Sequence, residues 1–213
     1  MNKNVLFFAG FFCCLSLSSC ISKQAVVSKY YTIEIPVSTV PAVPDSAQLI
    51  PIRCEIARVE MSPLYDRSQI INRSDSHEVT FYRYHQWAVR PSLAIGAFIE
   101  NYMQDSKLFE SVSARYSKVI PDYLFNTQIH RLEVLEERGR LTAHLELEFR
   151  ILDHKDDRVL LRHRADRKEV LEQKDLNLFS RTVSEILLTE LNKFNKQIRE
   201  QREILEKASK HES

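Results

Sequence analysis

Four cysteines, seven histidines and the acidic stretch Asp153-His154-Lys155-Asp156-Asp157-Arg158 are the residues of this chain whose types and spacing could do chemistry. A zinc site on a helix needs two imidazoles at i and i+4. The histidines, at 77, 85, 130, 144, 154, 163 and 211, form no such pair. Residues 153–158 have the carboxylate density of a calcium loop. They lack its glycine and a distal glutamate at the right spacing, so they read as a charged hairpin turn. There is no G-x-S-x-G elbow and no H-E-x-x-H. Three glycines in the whole chain leave no phosphate-cradling loop or dinucleotide fingerprint. Glu136 and Glu137 sit beside a turn as solvated edges. The chain therefore reads as a non-enzyme with no catalytic residue, metal site or cofactor, and a site assembled from distant residues is the alternative.

The chemistry that the spacing does support is at Cys20. Lys3 opens the chain, an apolar run follows from Val5 through Leu17, and small residues Ser18 and Ser19 precede the cysteine. A charged start, a short apolar region and small residues at a cleavage site make a secretory signal. The run is too short for a membrane-spanning helix, which needs about 20 residues. Leu17-Ser18-Ser19-Cys20 resembles the bacterial lipobox, in which cleavage before the cysteine frees it to carry a diacylglyceryl group. An uncleaved anchor helix or an ordinary signal are the alternatives. Cys20 is thus expected to be lipidated (palmitate being one acyl group it could carry) and to hold the chain on a membrane, the rest lying in the periplasm. With no Asp at the second mature position, enterobacterial sorting points to the outer membrane.

Cys13 and Cys14 would leave with the signal, so Cys54 alone remains and no disulfide is available inside the domain. Ile50, Ile52, Cys54 and Ile56 alternate onto one face, where Cys54 reads as a small buried hydrophobe, with a reactive thiol as the lesser reading. The chain carries 30 basic against 29 acidic side chains, and loss of Lys3 balances them. That argues against nucleic acid as a partner.

The elements that must position these residues are legible as patterns. "YYTIEIP" at 30–36, residues 49–61 and "EVTFYRYHQWAV" read as strands. In the third, Val79, Phe81, His85 and Trp87 share one face while Tyr82 and Tyr84 take the other. "SPLYDRSQIINRSDSH" reads as an irregular link between strands, and 37–48 as an extended connection. From Pro91 the period changes to about 3.6: Ile95, Phe98, Ile99, Tyr102 and Met103 make one helical stripe. "LFESV", "DYLFNTQIHRLEVLEE" and a strand with Leu141, Ala143, Leu145, Leu147, Phe149 and Ile151 inward follow, its other face half-solvated. "ERGR" and "DHKDD" are turns. A second helix starts near Asp175 and keeps Phe179, Val183, Ile186, Leu187, Leu191, Phe194 and Ile198 together. The reading is α+β: a largely antiparallel sheet of about six strands with two amphipathic helices packed on one face. It divides the chain into a signal over 1–19, a tether over 20–29, a single domain over 30–198 and a charged helix or tail over 199–213.

Two segments stand out, "SPLYDRSQIINR" at 62–73 and "QWAVRP" at 86–91. Asp66 and Arg67 suit charge-assisted hydrogen bonds to backbone or to a partner. Tyr65 and Trp87 offer apolar area with a polar handle, as interface anchors do, or as core residues do. In order, Pro63, Asp66, Arg67, Gln69, Ile70, Arg73, Trp87 and Ala88 resemble the pattern of the ABC-type transport auxiliary lipoproteins, the paraquat-inducible-type lipoproteins associated with MCE-domain transport systems. Tyr65, Ser68, Gln86 and Val89-Arg90 depart from it. The resemblance implies an accessory subunit of a lipid or hydrophobic-compound transport system, docking on an MCE-domain protein and ABC transporter components. Tyr65, Asp66, Arg67, Gln69 and Trp87 are the candidate partner-binding residues. An outer-membrane assembly lipoprotein bracing a β-barrel is the alternative, and exposed strand edges would allow a homo-oligomer.

Overall fold

The computed structural model describes residues 27–36, 49–74, 77–114 and 120–210. The signal, Cys20 and the connection at 37–48 lie outside them. Nine strands form one sheet: β1 Lys29–Tyr31, β2 Ile50–Ile56, β3 Glu60–Met61, β4 Gln69–Arg73, β5 Val79–Trp87, β6 Phe109–Ala114, β7 Tyr123–Glu137, β8 Arg140–Asp153 and β9 Val159–Val170. The helices are α1 Pro91–Asp105, α2 Leu176–Glu200 and α3 Arg202–Lys210.

The long strand β7 is the axis. One of its edges runs antiparallel to β8, which runs antiparallel to β9. The other edge is shared in succession by β2 at Tyr123–Phe125, β3 at Gln128–Ile129 and β4 at Val134–Leu135, all parallel to it. From there the sheet forks: β2 carries β6, while β4 carries β5 and then β1. Five of the eight described pairings are parallel, so the sheet is mixed rather than largely antiparallel. Hairpin turns are visible in a sequence, whereas parallel partners meet only through crossovers such as α1, which carries the chain from β5 to β6.

The strand count rises from about six to nine for local reasons. The stretch 49–61 is two strands broken at Ala57–Val59, and the first strand is shorter than 30–36. The link 62–77 contains β4, whose Ile70, Ile71 and Asn72 are all buried. Covered on both faces, it has no alternation to read. In β5 the register passes from Gln69↔Gln86 to Ile71↔Phe81, so three extra residues bulge out. The bulge breaks the expected period: Trp87 is buried while Phe81 is exposed, on the opposite face.

The apolar face of the sheet receives the helices. Phe125 of β7, Phe149 of β8 and Phe194 of α2 pack together with centroids 5.6–5.9 Å apart, Phe149 stacked on Phe194 and Phe125 edge-on to Phe194. The two predicted stripes are buried as read, each large side chain contributing about 1.5–3 kcal/mol. Asp175 caps α2 by accepting from the Asn177 amide at 2.8 Å. Tyr102 of α1 donates to Asn192 of α2 at 2.8 Å, joining the helices in one layer. The charged C-terminal segment is not simply a tail: it folds as α3, with Leu205 fully buried and its carbonyl accepting from Tyr123 at 2.8 Å. Cys54 is buried, which pushes its thiol pKa up and fits packing rather than reactivity.

Candidate functional site

The face of the sheet away from the helices is the side that alternation assigned to solvent. It is instead roofed by ion pairs and by the 62–69 loop. The two-residue turn Arg138-Gly139 has φ of 49° and 77°, the left-handed pair that a tight hairpin requires. It fixes a register that sets Glu133 opposite His144, while Asp166 of β9 pairs with the neighbouring Glu146. Further along, Arg131 and Arg164 bind Glu146 at 3.1 and 2.6 Å, and Arg150 donates to Asn126 at 2.6 Å.

Glu133 is completely buried. Its carboxylate accepts from Arg73 of β4 at 2.9 Å and from the Tyr65 hydroxyl at 3.1 Å, and meets His144 Nδ1 at 3.2 Å. His144 Nε2 lies 2.8 Å from Asp166. A carboxylate faces each ring nitrogen, so both nitrogens have a hydrogen-bond partner. Burial pushes the Glu133 pKa up, but hydrogen bonds from His144 and Arg73, the Arg73 charge and the Tyr65 hydroxyl outweigh it and lower the pKa to about 2. Glu190 of α2 is a second such carboxylate, also lowered to about 2. Burial works against that shift, and Lys193, Arg167 and His163, at 2.7, 2.7 and 2.8 Å, bring it about. A general base works best with a pKa near the operating pH. With their pKa values held well below that range, each carboxylate ties two or more elements together by charge-assisted hydrogen bonds, Glu133 joining β4, β7 and β8 and Glu190 joining α2 to β9.

The five residues singled out from sequence fall into one neighbourhood with different duties. Tyr65 is buried on Glu133. Asp66 accepts from the Ser92 amide in the first turn of α1 at 3.1 Å and pairs with Arg90 at 3.1 Å. It supplies the N-terminal cap that Arg90, at the cap position itself, does not make. Arg67 donates to Gln69 at 3.1 Å and lies 4.3 Å over the Phe81 ring. Both Arg67 and Gln69 remain half-exposed. Trp87 is buried against Phe179 of α2 at 5.7 Å, and its amide donates to Ser68. Beside this loop, in the fork between β2 and β4, lies an open groove of about 670 Å³ lined by Glu55, Arg58, Met61, Asp66, Leu124 and His154 among others.

Sequence reading passed over Glu133, Arg73's role toward it, and His144. The signal that finds the pair is the "ERGR" turn: a two-residue loop pairs Glu137 with Arg140 and, counting back, sets Glu133 across from His144. Among the described residues no His, Cys, Asp and Glu group could hold a metal, and no helix is long and apolar enough to cross a membrane.

Comparison with known proteins follows this geometry. Among solved structures the chain is similar to a Xanthomonas campestris protein of the DUF330 family, with 19% identity, a TM-score of 0.65, and coverage of 81% of this chain and 99% of that one. A second crystal structure, of an uncharacterized protein, matches with 7% identity, a TM-score of 0.59 and the same coverage. At these identities the likeness is one of fold. No curated protein sequence matches. The family model described as ABC-type transport auxiliary lipoprotein component matches residues 31–190. That span takes in the Glu133 brace, the capped helix and every residue of the resemblance drawn from 62–91, and the chain belongs to this family of ABC-type transport auxiliary lipoproteins.

Proposed function

We propose that this lipoprotein is the accessory subunit of an ABC system that works with an MCE-domain protein, moving lipid or another hydrophobic compound through the envelope. The family match across residues 31–190 carries the reading. The lipid on Cys20 tethers the domain, most naturally in the outer membrane, and the domain docks on its partner without a catalytic step. The fork between β2 and β4 is the docking place: the groove there is open, Asp66 of the 62–69 loop forms part of its rim, and Arg67 and Gln69 of the same loop stay half-exposed. Tyr65, Asp66 and Trp87 act by holding that rim in shape, since their polar atoms or rings are already engaged inside the domain.

Affinity purification of the intact lipoprotein from crosslinked cells, with Cys20→Ala alongside, tests the reading. Co-purification of an MCE-domain protein or ABC subunit, weakened by Arg67→Ala and Gln69→Ala while folding is kept, is the expected result. Recovery of a β-barrel assembly protein alone would replace it with the bracing role.

A further inference from the structure

The exposed apolar side chains are unevenly distributed. Among the described residues eleven large ones are exposed, and six of them, Val27, Tyr30, Phe81, Tyr84, Val89 and Leu93, belong to the segments 27–30 and 81–93. Strand register and burial gather three of these on one face. Tyr30 pairs with Gln86, Gln86 with Gln69, and Phe81 with Ile71. Paired residues share a face, as do residues two apart along a strand. Tyr30 and Phe81 therefore stand on the helix-free side of the β1–β5–β4 branch, whereas Tyr31 and Trp87 are buried on the other; Tyr84 joins the first pair because it is exposed and its neighbour His85 stacks on buried Tyr31. Lys29 and Arg83 are exposed one position along from Tyr30 and Tyr84, at the rim of this face, Arg83 reaching over the Tyr84 ring, and neither pairs with a described acidic residue.

The length of chain before β1 says what covers this patch. Cys20 precedes Lys29 by nine residues, which reach at most about 30 Å. Among the described strands β1 lies at an edge, paired with β5. The opposite fork, with β2 and β6, meets β7 at Tyr123–Phe125, nine positions before the β4 contact at Val134, about 30 Å along the strand. A lipid on Cys20 thus holds the β1–β5 corner within about 30 Å of the bilayer. Tyrosines with an apolar ring and a wet hydroxyl settle at headgroup depth, and lysine and arginine beside them favour anionic headgroups.

We propose that the helix-free face of the β1–β5 corner, through Tyr30, Phe81 and Tyr84 flanked by Lys29 and Arg83, rests on the phospholipid surface of the membrane that holds the Cys20 lipid. This deepens the anchored-lipoprotein reading and rests on it. The test uses the full lipidated chain in vesicles of phosphatidylethanolamine and phosphatidylglycerol, prepared with ordinary or acyl-brominated lipid. Native Trp87 is buried and supplies a constant background. Tyr30→Trp and Tyr84→Trp are expected to lose fluorescence in brominated vesicles, and Ile120→Trp, exposed at the far end, to keep it. Flotation with the vesicles but equal Tyr84→Trp fluorescence in both lipids would overturn the proposal and leave the face to a protein partner or a second copy. Failure of the parent chain to float would remove the anchor reading, and this proposal with it.

Discussion

A glutamate with no exposed surface is worth keeping only when its partners outweigh its desolvation, and Glu133 has three hydrogen-bond partners and the Arg131 guanidinium at 4.0 Å. Glu133→Gln keeps the shape but leaves the Arg73 guanidinium without its buried anion, so it should cost about 3–5 kcal/mol in urea unfolding. Tyr65→Phe removes one donor to a charged group and should cost about 1.5–3 kcal/mol. Equal stability of Glu133→Gln and the parent would show the network to be dispensable. The same residue sets a pH response. Because the pKa of Glu133 falls from 4.5 to about 2 on folding, the ionised carboxylate favours the folded state, fully so above about pH 5. That contribution drains away as pH falls through 4.5 toward 2, at about 1.4 kcal/mol for each unit of depression. Glu190 adds to the same window. Stability measured at pH 3 and pH 7 should therefore differ less in Glu133→Gln than in the parent; an unchanged difference would rule out this source of acid sensitivity.

At the scale of elements, α1 begins without a local cap, and the cap arrives from another part of the chain. Asp66→Ala should destabilise by about 1 kcal/mol and speed hydrogen exchange of the Ser92 amide, while Asp66→Asn recovers most of the loss. Unaltered exchange at Ser92 would mean that Asp66 serves elsewhere. The β7–β8 turn makes a complementary case. A Cβ on Gly139 would sit 3.7 Å from the Lys174 side chain, an ordinary contact, so space is not what excludes it. Its φ of 77° is, and Gly139→Ala should cost about 1 kcal/mol in thermal or urea unfolding through backbone strain alone. The cap of α2 is local, its donor Asn177 two residues from Asp175, where the sequence puts the helix start, whereas 26 positions separate Asp66 from Ser92.

For the molecule as a whole, α3 tests how far the domain extends. Leu205 is fully buried and α3 packs on β2. Leu205→Ala should lower stability by about 2–5 kcal/mol, the loss given by urea midpoints. A shift below 0.5 kcal/mol, the range of surface substitutions, would return 199–213 to the status of a tail. Segment 199–213 looked separable because one apolar residue in a charged stretch carries no period, yet a short helix needs only one such residue to be seated on a strand.

What the sequence determined by itself are the features with a short reach: the lipobox pattern around Cys20 as an expectation, the two amphipathic stripes, the inward face of β8, the β7–β8 turn, and the ordered residues from Pro63 to Ala88 that mark the family. Each follows from periods of 2 or 3.6 or from neighbours in the chain. Only the tertiary structure decided that β2, β3 and β4 share one edge of β7, that β4 is a strand at all, and that the polar face of β8 is roofed. Those outcomes depend on which distant segments cover a face, and a strand covered on both sides, or a charge neutralised from 60 residues away as Glu133 is by Arg73, leaves no periodic mark in the sequence.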